Sequence, residues 1–281
     1  MSILEAIILG IIQGLSEFIP ISSTAHLTIA GQYLGLIDPS DPEKWTAFIA
    51  VIQLGTLAAV FVYFAKEIRD IPIAFIKENI IGKRLPFKQQ SSDARLGLYI
   101  ILGSIPIAVV GLGLKKVIEG GFTKDFTVIG ISLIALALIL ALAEKTAKFK
   151  KDIDNITLKD AIIVGLSQCL ALIPGASRSG TTITAGLFLG MNRETAARFS
   201  FLLSIPAIFG SGMLEFYQSI ELLSVEELLT LTVAVVFSAI SGYASIAFLI
   251  SYLRKNSTML FVSYRVILGI LILASVSLNL F

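Results

Sequence analysis

The chain has 281 residues, of which 56% are hydrophobic and only 15% charged, with a mean hydropathy of +0.88 and a net charge of +2. That composition excludes a soluble globular domain and describes a polytopic membrane protein. The near balance of charge gives no footprint for a nucleic-acid partner. Cys169 is the single cysteine, which rules out an internal disulfide, and its apolar setting suits a small packed side chain better than a reactive thiol. The N-terminus has no basic leader and runs directly into a polar motif, so the mature chain is expected to begin there.

Eight apolar regions follow one another, at about 6–36, 47–65, 96–114, 126–143, 161–190, 199–215, 228–253 and 261–280. Six have the length of ordinary membrane spans, roughly 20 residues. The first and fifth are each cut by a proline, Pro20 or Pro174, and carry polar stretches (SST, SRSGTT) where a span should be apolar. Non-helical backbone at such depth is tolerated only where protein covers it or it lines a wet cavity. Both regions are therefore predicted to be re-entrant helical hairpins that leave by the side they entered. The charge-rich stretch 66–95 reads as a cytoplasmic loop with an interfacial helix, 144–160 as a second cytoplasmic loop, and Trp45, Tyr63 and Tyr217 as interfacial belt residues.

The two interrupted regions are also copies of each other. Ala6, Gly10, Gln13 and Leu15 align with Ala161, Gly165, Gln168 and Leu170. A one-residue gap then brings Pro20 and Ser23 onto Pro174 and Ser177, and a second shift lays Ala30, Gly31, Leu34 and Gly35 on Ala185, Gly186, Leu189 and Gly190. The basic residues test the hairpin reading. With both hairpins returning, Lys66, Arg69, Lys77, Lys83, Arg84, Lys88 and Arg95, five lysines between 145 and 159, and Arg193, Arg198, Arg254 and Lys255 share one side, 16 against the four at Lys44, Lys115, Lys116 and Lys124. The acidic loop carrying Glu221, Glu226 and Glu227 joins the sparse side. Eight full crossings would reduce the bias to 12 against 8, so the positive-inside rule favours the hairpins. The fold class expected is thus all-α: six transmembrane helices plus two re-entrant hairpins in an inverted repeat. It forms a single membrane domain over 1–281, repeat 1 spanning about 1–143 and repeat 2 about 161–281, with both termini outside.

Polar residues concentrate at the hairpin tips. Gln13 and Glu17, four apart, share a helix face, and Ser22, Ser23, Thr24 and His26 open the arm after Pro20. The second tip reads Pro174, Gly175, Ala176, Ser177, Arg178, Ser179, Gly180, Thr181, Thr182. Each second arm opens with small hydroxyl residues at a helix N-terminus, where free N–H groups and the dipole favour an anion. Arg178 adds a fork that suits phosphate oxygens. Serines and threonines in membrane helices commonly just pack or back-bond, and Gln13 and Gln168 are equally suited to bridging helices. Glu17 and Arg178 are harder to dismiss, because an ionisable group at depth costs roughly 2.5 to 3.5 kcal/mol even on the lenient insertion scale. The tips read as a phosphate cradle within the membrane.

At these residues the chain resembles a known family. QGLSEFIPISSTAH at 13–26 and PGASRSGTT at 174–182 are similar to the two signature motifs of the BacA-type undecaprenyl-diphosphate phosphatases, and FIAVIQLG at 48–55, with Gln53, extends the likeness. The resemblance implies a bacterial inner-membrane enzyme, with its active site opening toward the outer face, that hydrolyses undecaprenyl diphosphate to the monophosphate. Such an enzyme recycles the carrier for peptidoglycan synthesis and contributes to bacitracin resistance. By position it puts catalytic roles on Glu17, Ser23, His26 and Arg178, and phosphate binding on Gln13, Ser22, Thr24, Ser177, Ser179, Thr182 and Gln53. Gln13 stands where other members carry Glu, which leaves one acid fewer for a metal.

Chemically, a diphosphate ester needs its charge neutralised and a nucleophile in line. Ser23 is the leading nucleophile, with His26 three residues along as its base. Direct attack by water and attack by His26 are the alternatives. Glu17 is expected to orient His26 or to hold a Mg2+ or Ca2+ ion bridging the diphosphate. Partners expected are the polyprenyl diphosphate lipid, the bilayer and, as a candidate, a second copy of the chain. A different class stays open, since inverted repeats with broken helices are also a transporter signature, which makes a carrier or flippase for a phosphorylated lipid or anion the competing reading.

Overall fold

A computed structural model describes residues 1–81, 84–219 and 224–280. Lys83 and Glu221, both counted in the charge distribution, lie outside the described residues. Among the described residues, the regular structure is helical apart from one bridge pairing Lys151 with Met191. The helices are α1 Ile3–Phe18, α2 Ser23–Tyr33, α3 Pro42–Tyr63, α4 Ala65–Asn79, α5 Ser92–Gly113, α6 Lys115–Glu119, α7 Phe126–Thr146, α8 Leu158–Gln168, α9 Arg178–Phe188, α10 Arg193–Ser219, α11 Val225–Leu253 and α12 Met259–Ser277.

Six of them, α3, α5, α7, α10, α11 and α12, are long and apolar enough to cross a membrane. Between 28% and 56% of each apolar window is buried in protein, so much of each helix turns oily side chains outward, as lipid requires and water does not. Their ends are written in the sequence. Asp41 caps α3 with Pro42 at the first helical position, Ser91 caps α5, Asp125 caps α7, and Ser224 with Glu227 makes a capping box for α11.

The two interrupted regions become helix–break–helix units, α1 with α2 and α8 with α9. α1 packs along α11 and α8 along α5, while α3 lies on α10 and α7 on α12. Glycines permit the two close approaches: a Cβ at Gly10 would strike the carbonyl of Ala234 on α11, and one at Gly165 the carbonyl of Gly103 on α5. Phe18 at the end of α1 is fully buried, edge-on to Phe201 of α10 at 5.0 Å, which locks the rotational phase of the neighbouring Glu17.

The second unit is tied at its base. Lys151 Nζ pairs with Asp160 at 2.9 Å, while Glu144 of α7 accepts from Arg193 and, at 2.9 Å, from the Thr258 hydroxyl before α12. α4 packs against α5, with Ile71 buried and Ile73 and Ile76 exposed, the one-sided pattern expected of an interfacial helix. Trp45 departs from the sequence reading. Instead of standing in an interfacial belt it is only 4% exposed, stacked on Phe48 with its ring over Gly31, because the missing side chain at Gly31 opens a slot the indole fills. Tyr217 is exposed.

Candidate active site

The breaks are built alike. Ser22 (φ 77°) and Ser177 (φ 68°) both adopt left-handed backbone immediately before their helices, conformations a non-glycine residue rarely holds. Each caps the helix it precedes: Ser22 Oγ accepts from Ala25 N–H at 3.3 Å, and Ser177 Oγ from Gly180 N–H at 3.1 Å. The sequence alignment had matched Ser23 with Ser177. The structure matches Ser22 with Ser177, so Ser23 and Arg178 are the equivalent first residues of α2 and α9.

From those two positions both side chains reach the same carboxylate. Arg178 Nη2 meets Glu17 Oε1 at 2.5 Å, and Ser23 Oγ donates to Glu17 Oε2 at 2.7 Å. Gln13, one turn earlier on α1, donates its Nε2 to the same Oε2 at 2.8 Å. Ser179 Oγ donates to the Ile19 carbonyl at 3.3 Å, closing the contact between the breaks. The side chains of Arg178 and Glu17 are 13% and 4% exposed, and Arg178 Nη1 is buried with no acceptor among the described residues.

This constellation lies at one end of a cavity of about 560 Å³. Glu17, Ser22, Ser23, Thr24, Gln53, Ser177 and Arg178 are on its wall. Gln13, His26, Ser179 and Thr182 are not: Gln13 stands behind Glu17, and Thr182 shares a hydrogen bond with Ser200 at 2.6 Å while donating to the Arg178 carbonyl at 2.7 Å. The other end carries Trp45, Thr46, Lys115, Glu119, Lys124 and Glu215, and apolar residues of α3, α5 and α10 line the length between.

Ser23 and His26 are not brought together. Ser23 begins α2 and its hydroxyl reaches back across the break to Glu17, whereas His26, nearly one turn further along, turns to Tyr264 on α12. His26 Nδ1 lies 2.7 Å from the Ser22 carbonyl, which can only accept, so that nitrogen carries the proton. Nε2 then accepts from the Tyr264 hydroxyl at 2.6 Å, with the two rings stacked 5.6 Å apart.

Sequence reasoning named neither Tyr264 nor Arg265, and it gave Gln168 only a helix-bridging role. Tyr264 and its neighbour Arg265 sit mid-span on α12 and serve the two breaks separately, since fully buried Arg265 donates to the carbonyls of Gly175 at 3.3 Å and Ala176 at 2.9 Å. The cost of a lone arginine in an apolar span was the available signal. Gln168, the repeat mate of Gln13, is fully buried on the cavity side with neither amide atom partnered, because Leu172 stands where Glu17 follows Gln13.

A cation held by the protein alone does not fit these residues. Among the described residues Glu17 is the one carboxylate at the site, its oxygens are engaged by Gln13, Ser23 and Arg178, and the guanidinium opposes a second positive charge. Among the described residues no group of three or more His, Cys, Asp or Glu could ligate a metal.

A polytopic helical membrane protein in which two broken helices meet at a buried carboxylate, guanidinium and hydroxyl has the chemistry to bind an anionic group. Residues 6–271 match the family described as Bacitracin resistance protein BacA, and the chain belongs to that family. It is 56% identical to an undecaprenyl-diphosphatase of Syntrophobacter fumaroxidans over 96% of this chain and 95% of that one. It is 52% identical to one of Chloroherpeton thalassium (99% and 98% covered) and 50% identical to one of Chlorobaculum tepidum (96% and 95%).

Proposed function

We propose that this protein is an integral-membrane undecaprenyl-diphosphate phosphatase, releasing inorganic phosphate and the lipid monophosphate that re-enters peptidoglycan synthesis, with bacitracin resistance as a consequence of abundance. The observation that carries the reading is one carboxylate, Glu17, receiving both Ser23 Oγ and Arg178 at the floor of a cavity with apolar walls. A diphosphate seated on Arg178 Nη1 and the first-turn N–H groups of α2 and α9 has its charge neutralised where the chemistry occurs.

Ser23 Oγ attacks the terminal phosphorus while its proton passes to Glu17 Oε2, and the bond to the bridging oxygen breaks to free the lipid monophosphate. Water then attacks the phosphoserine. Glu17 returns its proton to Ser23 Oγ, and inorganic phosphate leaves. His26 acts as a positioning residue in this scheme, holding the first turn of α2 through the Ser22 carbonyl and Tyr264.

In the same reading the two helix–break–helix units are re-entrant hairpins of an inverted repeat. Support comes from the paired packing of α1 on α11 and α8 on α5 and from the shared Ser22 and Ser177 geometry. The cavity wall extends to Lys115 and Lys124, on the side poor in basic residues, which the positive-inside rule makes the outside. Both termini then lie outside, in a bacterial inner membrane.

The test is phosphate release from a polyprenyl diphosphate by purified protein in detergent, where no transport between compartments occurs. Release supports the phosphatase. Binding without release supports the carrier reading instead.

A further inference from the structure

The two repeats place a glutamine at the same point and treat it differently. Gln13 on α1 has Glu17 one turn further on, and its Nε2 donates there at 2.8 Å. Gln168 closes α8 at the corresponding position, but the residue one turn on is Leu172, which offers no acceptor. The neighbouring hydroxyl gives no substitute, because Ser167 Oγ donates to the Val164 carbonyl of its own helix at 2.7 Å. Gln168 is fully buried, and among the described residues neither its Oε1 nor its Nε2 has a hydrogen-bond partner. Moving α8 inward cannot supply one: a Cβ at Gly165 would lie only 2.1 Å from the Gly103 carbonyl, so the helix already rests on the backbone of α5. A buried amide without partners is costly to keep, and one that persists calls for a ligand. Gln168 is on the wall of the same cavity as Arg178, whose Nη1 is also buried and unpartnered.

We propose that Gln168 is a substrate-binding residue for the lipid-attached phosphate of the diphosphate, its Nε2 donating to a non-bridging oxygen of that group. The proposal rests on the phosphatase reading for the identity of the ligand. Phosphoryl transfer runs in line, so the leaving group departs from the face opposite the nucleophile. Ser23 and Glu17, the nucleophile and its base, belong to the first helix–break–helix unit, whereas Arg178 and Gln168 belong to the second. A terminal phosphate held between Ser23 and Arg178 therefore turns its bridging oxygen, and the phosphate beyond it, away from α1 and α2. On the second unit's part of the wall, the buried side-chain donors left without a partner among the described residues are Arg178 Nη1 and Gln168 Nε2. The first suits the transferred phosphate and the second the one that remains on the lipid. Being neutral, the amide recognises that phosphate without the charge that would hold the lipid monophosphate after the bond has broken. The glutamine of one repeat thus serves the carboxylate, and its mate serves the substrate.

The test measures binding to purified protein in detergent, so it does not depend on turnover. The probes are a polyprenyl methylenebisphosphonate, methylenebisphosphonate without a tail, and inorganic phosphate. Gln168→Leu should weaken both bisphosphonates about tenfold or more, the loss expected when a hydrogen bond to a charged group goes, and leave inorganic phosphate, held at Arg178, unchanged. Leucine matches the amide in size and removes its unpaired polar atoms, so the thermal transition should stay where it is or rise. Gln168→Glu keeps the shape and sets a negative charge beside the second phosphate, and should show the same selective loss. Equal weakening of all three ligands, or of none, overturns the assignment. So does a lower transition temperature in Gln168→Leu with the ligand preference unchanged, the result expected of an amide that only bridges helices. Weakening confined to the tailed probe overturns it as well, since the contact is then to the chain. If the wild type releases no phosphate from undecaprenyl diphosphate, the phosphatase reading has failed, and the ratio of affinities still decides the role of Gln168.

Discussion

Replacing Glu17 by Gln keeps the size of the side chain and removes its charge, and the structure predicts effects of opposite sign on chemistry and on anion binding. Glu17 now receives three donors, from Gln13 at 2.8 Å, Ser23 at 2.7 Å and Arg178 at 2.5 Å. In Glu17→Gln, Ser23 loses its proton acceptor. General-base contributions of about 10²- to 10⁴-fold imply a kcat lower by that factor, which is about 2.7 to 5.5 kcal/mol on the barrier. Arg178 loses its counterion, and breaking a buried pair costs about 3 to 5 kcal/mol of stability. The lower end applies here, since the Arg178 side chain keeps 13% exposure on the cavity side. Inorganic phosphate should nevertheless bind more tightly. A carboxylate about 5 Å from a phosphate charge repels it by roughly 3 kcal/mol at an effective dielectric of 20, and retaining about half of that after screening gives roughly a tenfold gain. The assay is steady-state phosphate release with product inhibition by phosphate, on protein whose thermal transition is still cooperative. A kcat within fivefold of wild type, or phosphate inhibition weaker than wild type, would refute the role given to Glu17.

Three further outcomes are expected. Arg178→Lys replaces a fork with a point charge and should lower kcat/KM by roughly 100-fold or more, with activity within a few fold removing Arg178 from the site. Burial pushes Lys124 down to about 8, with its Nζ against Thr46 Oγ1 and the carbonyls of Glu119 and Gly120. A lysine depressed on folding is protonated in the unfolded chain and neutral in the folded one between about 8 and its usual 10.5, so stability should rise with pH across that window. Lys124→Met should flatten that rise in thermal scans from pH 7 to 10; an unchanged slope would show that Lys124 is not its source. In a Cys169→Ala background, a cysteine at Lys148 should be shielded from an impermeant thiol reagent outside intact cells and one at Ser224 should react, whereas the reverse pattern would rule out the proposed topology.

The spans were legible because each is a long apolar run closed by a recognisable cap, as at Asp41–Pro42 or Ser224–Glu227. Glu17 and Arg178 were legible because charge at depth is costly enough to need a reason. What the linear spacing mispaired was the direction of side chains at the breaks. Ser23 and His26 are neighbours by helical arithmetic, yet the left-handed residue at Ser22 starts the helix so that Ser23 faces α1 and His26 faces α12. A positive φ at a serine leaves no mark in sequence. Tyr264 and Arg265 lie more than 80 residues from the groups they touch, so their partners emerge only from the packing of α12, even though a lone arginine in an apolar span was itself a signal.

The central claim is that Ser23, activated by Glu17, attacks the terminal phosphorus. Rapid-quench mixing with undecaprenyl diphosphate radiolabelled in its terminal phosphate, followed by peptide mapping, tests it directly. The account predicts acid-stable label on Ser23 that appears before free phosphate and is absent in Ser23→Ala, which should still bind substrate through Arg178 but not turn it over. Label on His26, or substantial turnover by Ser23→Ala, would contradict it.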